Sequence, residues 1–369
     1  MHRLFPRVLA VCLFAAASVL LMACTNTGPT ESTDSPESSE STQQDWVPGT
    51  PTTVRMLTHD SFAINQALLD DLRKQTGIDL QIITAGDAGS MVSGAILTAG
   101  APSADLLFGI DNTLLARALD AEVFQPFQVE DPQTITPALN EGTDAVVTPV
   151  DYGDVCINID TKWYNDAQLT PPTSLADLID PRYRGQLVVT DPATSSPGLA
   201  FLLSTIARYG NDWPGYWNGL LENDVAVAGS WSDAYYGSFS LSGGDRPLVV
   251  SYATSPPAEI VYAEGTPPDR PQTTVLTDGC YRQVEYAGVL RGTEQPAAAG
   301  AVIEWLLSPA VQADIPLSMF VFPARQGTPL PEVFTKFAAQ VPDPEQLPAQ
   351  EVAENLSSWL TEWGTVMQR

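Results

Sequence analysis

Apolar positions along this chain switch between strand-like and helix-like spacing, and each change of period marks an element. Val54-Arg55-Met56-Leu57 reads as a short strand running out into the polar turn Thr58-His59-Asp60-Ser61-Phe62. From Ala63 to about Gln75, Ile64, Ala67, Leu68 and Leu72 recur on one helical face, and Gly77 stops the helix. A strand at 79–83, a turn at 85–89, a helix at about 90–98 and a strand at 105–108 follow. The alternation predicts parallel βαβ units and hence an α/β fold. Beyond Asp151-Tyr152-Gly153 the character repeats, with a strand at 155–159, a helix around 174–179, a strand at 186–190 and a helix reaching Tyr209.

In open parallel sheets a ligand sits beyond the carboxyl ends of the strands. That places Asp60 with Ser61, Asp87, and Asp111 with Asn112 on one rim. Each carboxylate alone also fits a helix cap; their joint position after three successive strands favours binding. The loop Asp191-Pro192-Ala193-Thr194-Ser195-Ser196-Pro197-Gly198-Leu199 offers hydroxyls and backbone N–H groups at a helix start. Pro and Gly there allow close approach, so the loop is either a site for a polar headgroup or an ordinary N-cap.

The N-terminus has another character. Arg3 and Arg7 precede an apolar run from Val8 to Ala23 that is short for a membrane span and reads as a signal peptide over 1–23. It closes in Leu21-Met22-Ala23-Cys24, which resembles a bacterial lipobox, so Cys24 is the expected lipidation site and the chain is expected outside the cytoplasm, anchored to the membrane by that lipid. Residues 24–51 are mostly Thr, Ser, Glu, Asp, Gln, Pro and Gly, a composition expected to form a disordered tether.

The remaining 52–369 is long enough for two lobes. A net charge of −27 excludes nucleic acid and anionic lipid as partners; it keeps an exported protein soluble and favours cationic solutes. Of the four cysteines, Cys12 leaves with the signal and Cys24 takes lipid. Cys156 and Cys280 are then expected to pair, as lone thiols outside the cytoplasm usually do. His59 is the one histidine left after processing, which rules out a multi-histidine metal site; no metal or other cofactor is expected. A serine hydrolase is disfavoured as well, since no Gly-x-Ser-x-Gly elbow occurs.

Six motifs then come in order: Thr-His-Asp-Ser-Phe-Ala at 58–63, Gly-Ile-Asp-Asn at 109–112, Asp-Tyr-Gly at 151–153, Asp-Pro-x-Thr-Ser-x-Pro-Gly-Leu at 191–199, Trp-Ser-x-Ala-Tyr at 231–235 and Ser-Tyr-x-Thr-Ser-Pro at 251–256. In order and spacing the chain resembles the thiamine-binding periplasmic proteins from about Val54 to Phe337, and more loosely to its end. The resemblance implies a two-lobe type II periplasmic-binding-protein fold with the ligand cleft between the lobes. Lobe one would comprise 52–151 and a C-terminal return over 285–369, and lobe two 152–284, with a last helix at 351–363 packed on lobe one. The resemblance further implies a monomer that captures thiamine or a thiamine phosphate and hands it to an ABC permease with a cytoplasmic ATPase.

Carried over by motif, Asp87 would face the ligand from lobe one, and Ser195, Ser196 and Gly198 would receive its hydroxyethyl or phosphate end. Trp231, Ser232, Tyr235 and Tyr252 would form the pocket wall, and Phe320 falls where the family places a stacking tryptophan. A thiazolium is a delocalised permanent cation, for which aromatic faces and carboxylates are the physical complement. The chain departs from the family at His59, where a tyrosine is expected, and at Ala258, where Tyr262 one turn on could fill the gap. Two other functions stay open. Tyr235-Tyr236 with His59 could hold ferric iron in the same fold, and Cys156 could serve a thiaminase-like enzyme.

Overall fold

A computed structural model describes residues 46–140, 143 and 146–368. The signal segment, Cys24 and nearly all of the tether lie outside the described residues. The chain begins with β1 (Thr52–Thr58), α1 (Gln66–Thr76), β2 (Ile78–Thr84), α2 (Ala88–Leu97) and β3 (Leu106–Asp111), and β1 pairs in parallel with both β2 and β3. The βαβαβ reading therefore stands, with helix starts moved by their caps. Asn65 accepts from the Ala67 N–H at 3.0 Å, so α1 starts three residues later than its apolar periodicity suggests, and Gly77 closes it at φ 80°. Asp87 accepts from the Ala88 N–H, so α2 begins earlier than expected and the turn before it is shorter.

After α3 (Leu115–Asp120) come β4 (Thr148–Asp160), α4 (Thr161–Ala167), β5 (Leu187–Thr190), α5 (Ser196–Tyr209), α6 (Trp213–Glu222), β6 (Ala226–Ala228) and β7 (Leu248–Tyr252). The chain continues through α7 (Ala258–Val261), β8 (Thr273–Val289), α8 (Pro296–Leu306), α9 (Pro309–Ser318), β9 (Phe322–Pro323), α10 (Glu332–Phe337) and α11 (Ala349–Met367). Among the described residues the strands form one sheet in the order β2-β1-β3-β8-β4-β7-β5-β6, with β9 on β4. The long strands β4 and β8 pair antiparallel almost throughout. The end of β8 meets β3, and the end of β4 meets β7, so the chain passes from one half of the sheet to the other on β4 and returns on β8.

Three sequence expectations shift. Asp151-Tyr152-Gly153 is not a loop before a strand but lies inside β4, where β8 on one side and β9 on the other take up its backbone groups. The helix expected around 174–179 is a single 3₁₀ segment, Leu175–Ile179, held by a reciprocal capping box between Ser174 and Asp177. The last helix was expected on lobe one, but α11 packs on both α3 and α6, with Trp363 set edge-on to the buried Trp217 at 5.6 Å. Its apolar face of Val352, Leu356, Trp363 and Val366 needs a wide partner, and α6 supplies part of it.

The expected disulfide is present: Cys156 and Cys280 join β4 to β8 with Cα atoms 4.4 Å apart. They sit within a register slip, since Val155 pairs with Tyr281 but Ile157 with Leu276. The bond therefore fastens the crossing strands where their ladder is interrupted.

Candidate ligand cleft

A cavity of about 380 Å³ opens where the two halves of the sheet face each other. The turn after β1 contributes His59, Asp60, Ser61 and Phe62, and the start of α2 contributes Asp87. The other half supplies Ser196 and Pro197 at the start of α5, then Trp231, Ser232, Tyr235 and Tyr252. Glu285 on β8 and Tyr262, Met319 and Phe320 complete the wall. The charged side chains on that surface are Asp60, Asp87, Glu285 and His59, and none of its lining residues is Lys or Arg.

The aromatic wall is fixed by its own contacts. Trp231 stacks on Tyr235 at 5.0 Å and 21° and donates its indole N–H to Ser251 at 3.0 Å. Tyr252 donates its hydroxyl to Gln283 at 3.0 Å; burial, reinforced by the Glu285 charge, raises its pKa well above the ordinary tyrosine value and keeps it neutral. Phe320 takes a left-handed φ of 54°, rare for a bulky residue, and its ring meets Tyr262 at 5.4 Å. Such strain costs about 1–3 kcal/mol and persists only where the surroundings hold it.

The polar floor is a chain of groups. Ser61 Oγ lies 2.8 Å from His59 Nδ1, and His59 Nε2 lies 3.3 Å from Glu285 Oε1, with both members of that pair buried. Burial alone would lower the His59 pKa; the adjoining Glu285, helped by Asp87 and Asp60, outweighs it and raises the value. Burial would likewise raise Glu285, but the adjoining His59, helped by Asp151, brings it below the usual carboxylate value. Asp151 pairs with Glu285 across β4 and β8, and burial followed by the Glu285 charge raises its pKa well above the usual carboxylate value. Gly109 makes room for the imidazole: at φ 93° beside a bulge in β3, a Cβ there would stand 2.3 Å from the His59 ring.

Direct contacts also cross the cleft. The Trp231 N–H donates to Asp87 Oδ2 at 2.8 Å, the Ser90 N–H donates to the Thr194 carbonyl at 3.1 Å, and Ser232 Oγ reaches Asp60 at 3.5 Å. Gly89 sits at this meeting point. A Cβ on it would lie 2.7 Å from the Thr194 carbonyl carbon and oxygen, which are backbone atoms with little freedom to move.

Residues 101–349 match the family model of the bacterial extracellular solute-binding proteins. The chain belongs to this family. Its relatives include the thiamine-binding periplasmic protein of Escherichia coli (strain K12), 31% identical over 317 residues that cover 85% of this chain and 92% of that one. A solved periplasmic thiamin-binding protein superposes with a TM-score of 0.76 at 26% identity, covering 86% of this chain and 96% of the other. The ferric-binding protein from Campylobacter jejuni shares the fold, with a TM-score of 0.67 at 17% identity over 85% and 99% of the two chains. The fold is thus the two-lobe type II architecture, with its cleft between the lobes.

In this solute-binding protein most of the residues singled out from sequence gather on the cleft: His59, Asp60, Ser61, Asp87, Ser196, Trp231, Ser232, Tyr235, Tyr252, Tyr262 and Phe320 all line it. Three do not. Asp111 is fully buried and spends Oδ1 on the N–H groups of Thr113 and Leu114 and on the Thr113 hydroxyl, so it ties the turn between β3 and α3 and does not face the ligand. Ser195 and Gly198 lie just behind the lining; Gly198 packs against the Thr190 carbonyl so closely that a Cβ would stand 2.3 Å away. Glu285 was missed. An acidic residue within the otherwise apolar stretch 284–290 is the signal that could have found it, because a buried charge requires a partner.

Proposed function

We propose that this protein captures thiamine outside the cytoplasm and delivers it to an ABC permease driven by a cytoplasmic ATPase. The observation that carries the reading is the cleft's composition: a cavity of about 380 Å³ walled by Trp231, Tyr235, Tyr252, Tyr262 and Phe320, with three carboxylates and neither Lys nor Arg on its lining. A flat, delocalised cation gains from aromatic faces, at about 0.5–2 kcal/mol for each good contact, and from acidic groups held away from water. The relatives named for thiamine binding support the same ligand. In this reading Ser196 and Pro197 at the start of α5 receive the hydroxyethyl end, or the phosphate of an ester.

Within this reading lobe one comprises 52–151 with the return from 285, and lobe two 152–284. Cys24 carries the lipid, residues up to 51 form the tether, and the protein works as a monomer that performs no chemistry on its cargo. The thiaminase-like alternative loses its nucleophile, because Cys156 is buried and bonded to Cys280 and has no thiolate to offer. Ferric iron would need tyrosinates. Burial raises the pKa of both Tyr235 and Tyr236, which opposes that state.

Isothermal titration of the purified, tether-cleaved protein with thiamine tests the assignment, with ferric citrate as the comparison. Saturable one-to-one binding of thiamine and a colourless iron titration are expected. A visible charge-transfer band with iron and no heat with thiamine would reverse it.

A further inference from the structure

Among the charged side chains lining the cleft, His59 is the one that can be a cation, and it is committed to one of the acids. Its Nε2 faces Glu285 on β8 at 3.3 Å, and its Nδ1 faces the Ser61 hydroxyl. Asp60 on its own turn and Asp87 at the start of α2 add negative charge on the cleft side. From β3 the imidazole meets the Phe108 ring at 6.1 Å and the backbone at Gly109, neither of which is charged. Behind Glu285 the pairing of the crossing strands sets Asp111 on one side and Asp151 on the other, three carboxyl groups abreast on β3, β8 and β4. Tyr252 on β7 faces the same acids with its hydroxyl turned to Gln283. Glu285 thus has the His59 imidazole as its built-in partner, in a place screened from water, and its charge favours the protonated ring.

A permanent cation entering this cleft meets the same carboxylates that hold the His59 proton. Two positive charges side by side in a water-poor space repel, and the movable one is the proton. We propose that the cleft exchanges the proton on His59 for the positive charge of its ligand, so that capture of a cationic solute releases a proton. This rests on the thiamine reading, because a neutral solute would displace nothing.

The sign follows from linkage. In the free protein the His59 pKa is raised above its ordinary value of 6.5; beside a bound cation it is lower. Between those two values affinity rises with pH, by up to about tenfold per unit for one proton, and it levels off above the free-state value.

Titration of the wild type with thiamine in phosphate and in Tris, at about pH 7, counts the proton directly through the buffers' different ionisation heats. Release of up to one proton per thiamine is expected, with the dissociation constant falling as pH rises above about 6.5 and levelling off beyond the free-state value. His59→Gln, which retains a donor toward Glu285, should bind thiamine with no proton released and a flat pH profile. Equal heats in both buffers with a pH-independent dissociation constant in the wild type would overturn the exchange and leave the thiamine reading intact. Unchanged proton release in His59→Gln would also overturn it, and no thiamine binding at all would remove both. The wild-type count stands by itself if the variant does not fold.

Discussion

Gly89→Ala isolates the closing of the cleft from everything the cleft does to its ligand. Gly89 lies in the first turn of α2 at an ordinary helical position, where alanine is intrinsically the better residue by about 0.5–1 kcal/mol. Its added Cβ would meet the Thr194 carbonyl at 2.7 Å and the Ala193 oxygen at 2.9 Å, both across the cleft. The methyl group therefore leaves lobe one sound and pushes the Asp191–Ser195 loop away. Two bonds go with that displacement. The Trp231 N–H to Asp87 carboxylate is charge-assisted and contributes about 1.5–3 kcal/mol, and the Ser90 N–H to Thr194 carbonyl about 0.5–1.5 kcal/mol. Closure should weaken by about 2–4 kcal/mol, and thiamine affinity, which is scaled by the closed fraction, by about 30- to 1,000-fold. Titration calorimetry reads the affinity, and small-angle scattering reads whether ligand still reduces the radius of gyration. Gly94→Ala on the same helix, where a Cβ meets nothing within 4 Å, is the control and should bind as wild type. If Gly89→Ala binds within threefold of wild type and compacts equally, the contacts across the cleft do not govern closure and the reasoning fails.

Other outcomes follow from the same structure. Trp231→Ala removes the face stacked on Tyr235 and should weaken thiamine by about 1–3 kcal/mol in a folded protein; normal affinity would assign Trp231 to packing alone. Cys156→Ser with Cys280→Ser unties a 124-residue separation and should cost about 2–5 kcal/mol of stability in chemical denaturation, while the wild type shows no maleimide-reactive thiol under denaturing, non-reducing conditions. Asp111 has a pKa raised by burial from 3.8 to about 7, so the folded state holds its proton after the unfolded chain has released it. That group's contribution to stability is greatest at low pH and is lost as pH rises from about 4 to 7. Asp111→Asn should therefore melt progressively higher relative to wild type over that range; parallel melting curves would show that Asp111 does not titrate there.

Legibility in the sequence followed the range of the forces involved. The period of apolar residues exposed β1 to β3 and the helices between them, because a half-buried helix or strand records its own environment every few residues. The pairing of Cys156 with Cys280 followed from their being the two cysteines left in an exported chain, and the pocket wall at Trp231, Tyr235 and Tyr252 from the resemblance carried by their motifs. The tertiary structure decided what depends on neighbours far along the chain. Asp87 and Asp111 look alike as strand-end carboxylates, yet one reaches the Trp231 N–H across the cleft and the other is sealed in the turn that follows β3. Glu285 becomes the floor of the site only because β8 lies between β3 and β4 and brings Asp111, Asp151 and His59 around it. Helix α11 finds half its partner on α6, over a hundred residues away in sequence. A charge or an apolar face specifies in sequence that it needs a partner; which partner it gets is set by chain topology, and that appears only when the strands are in register.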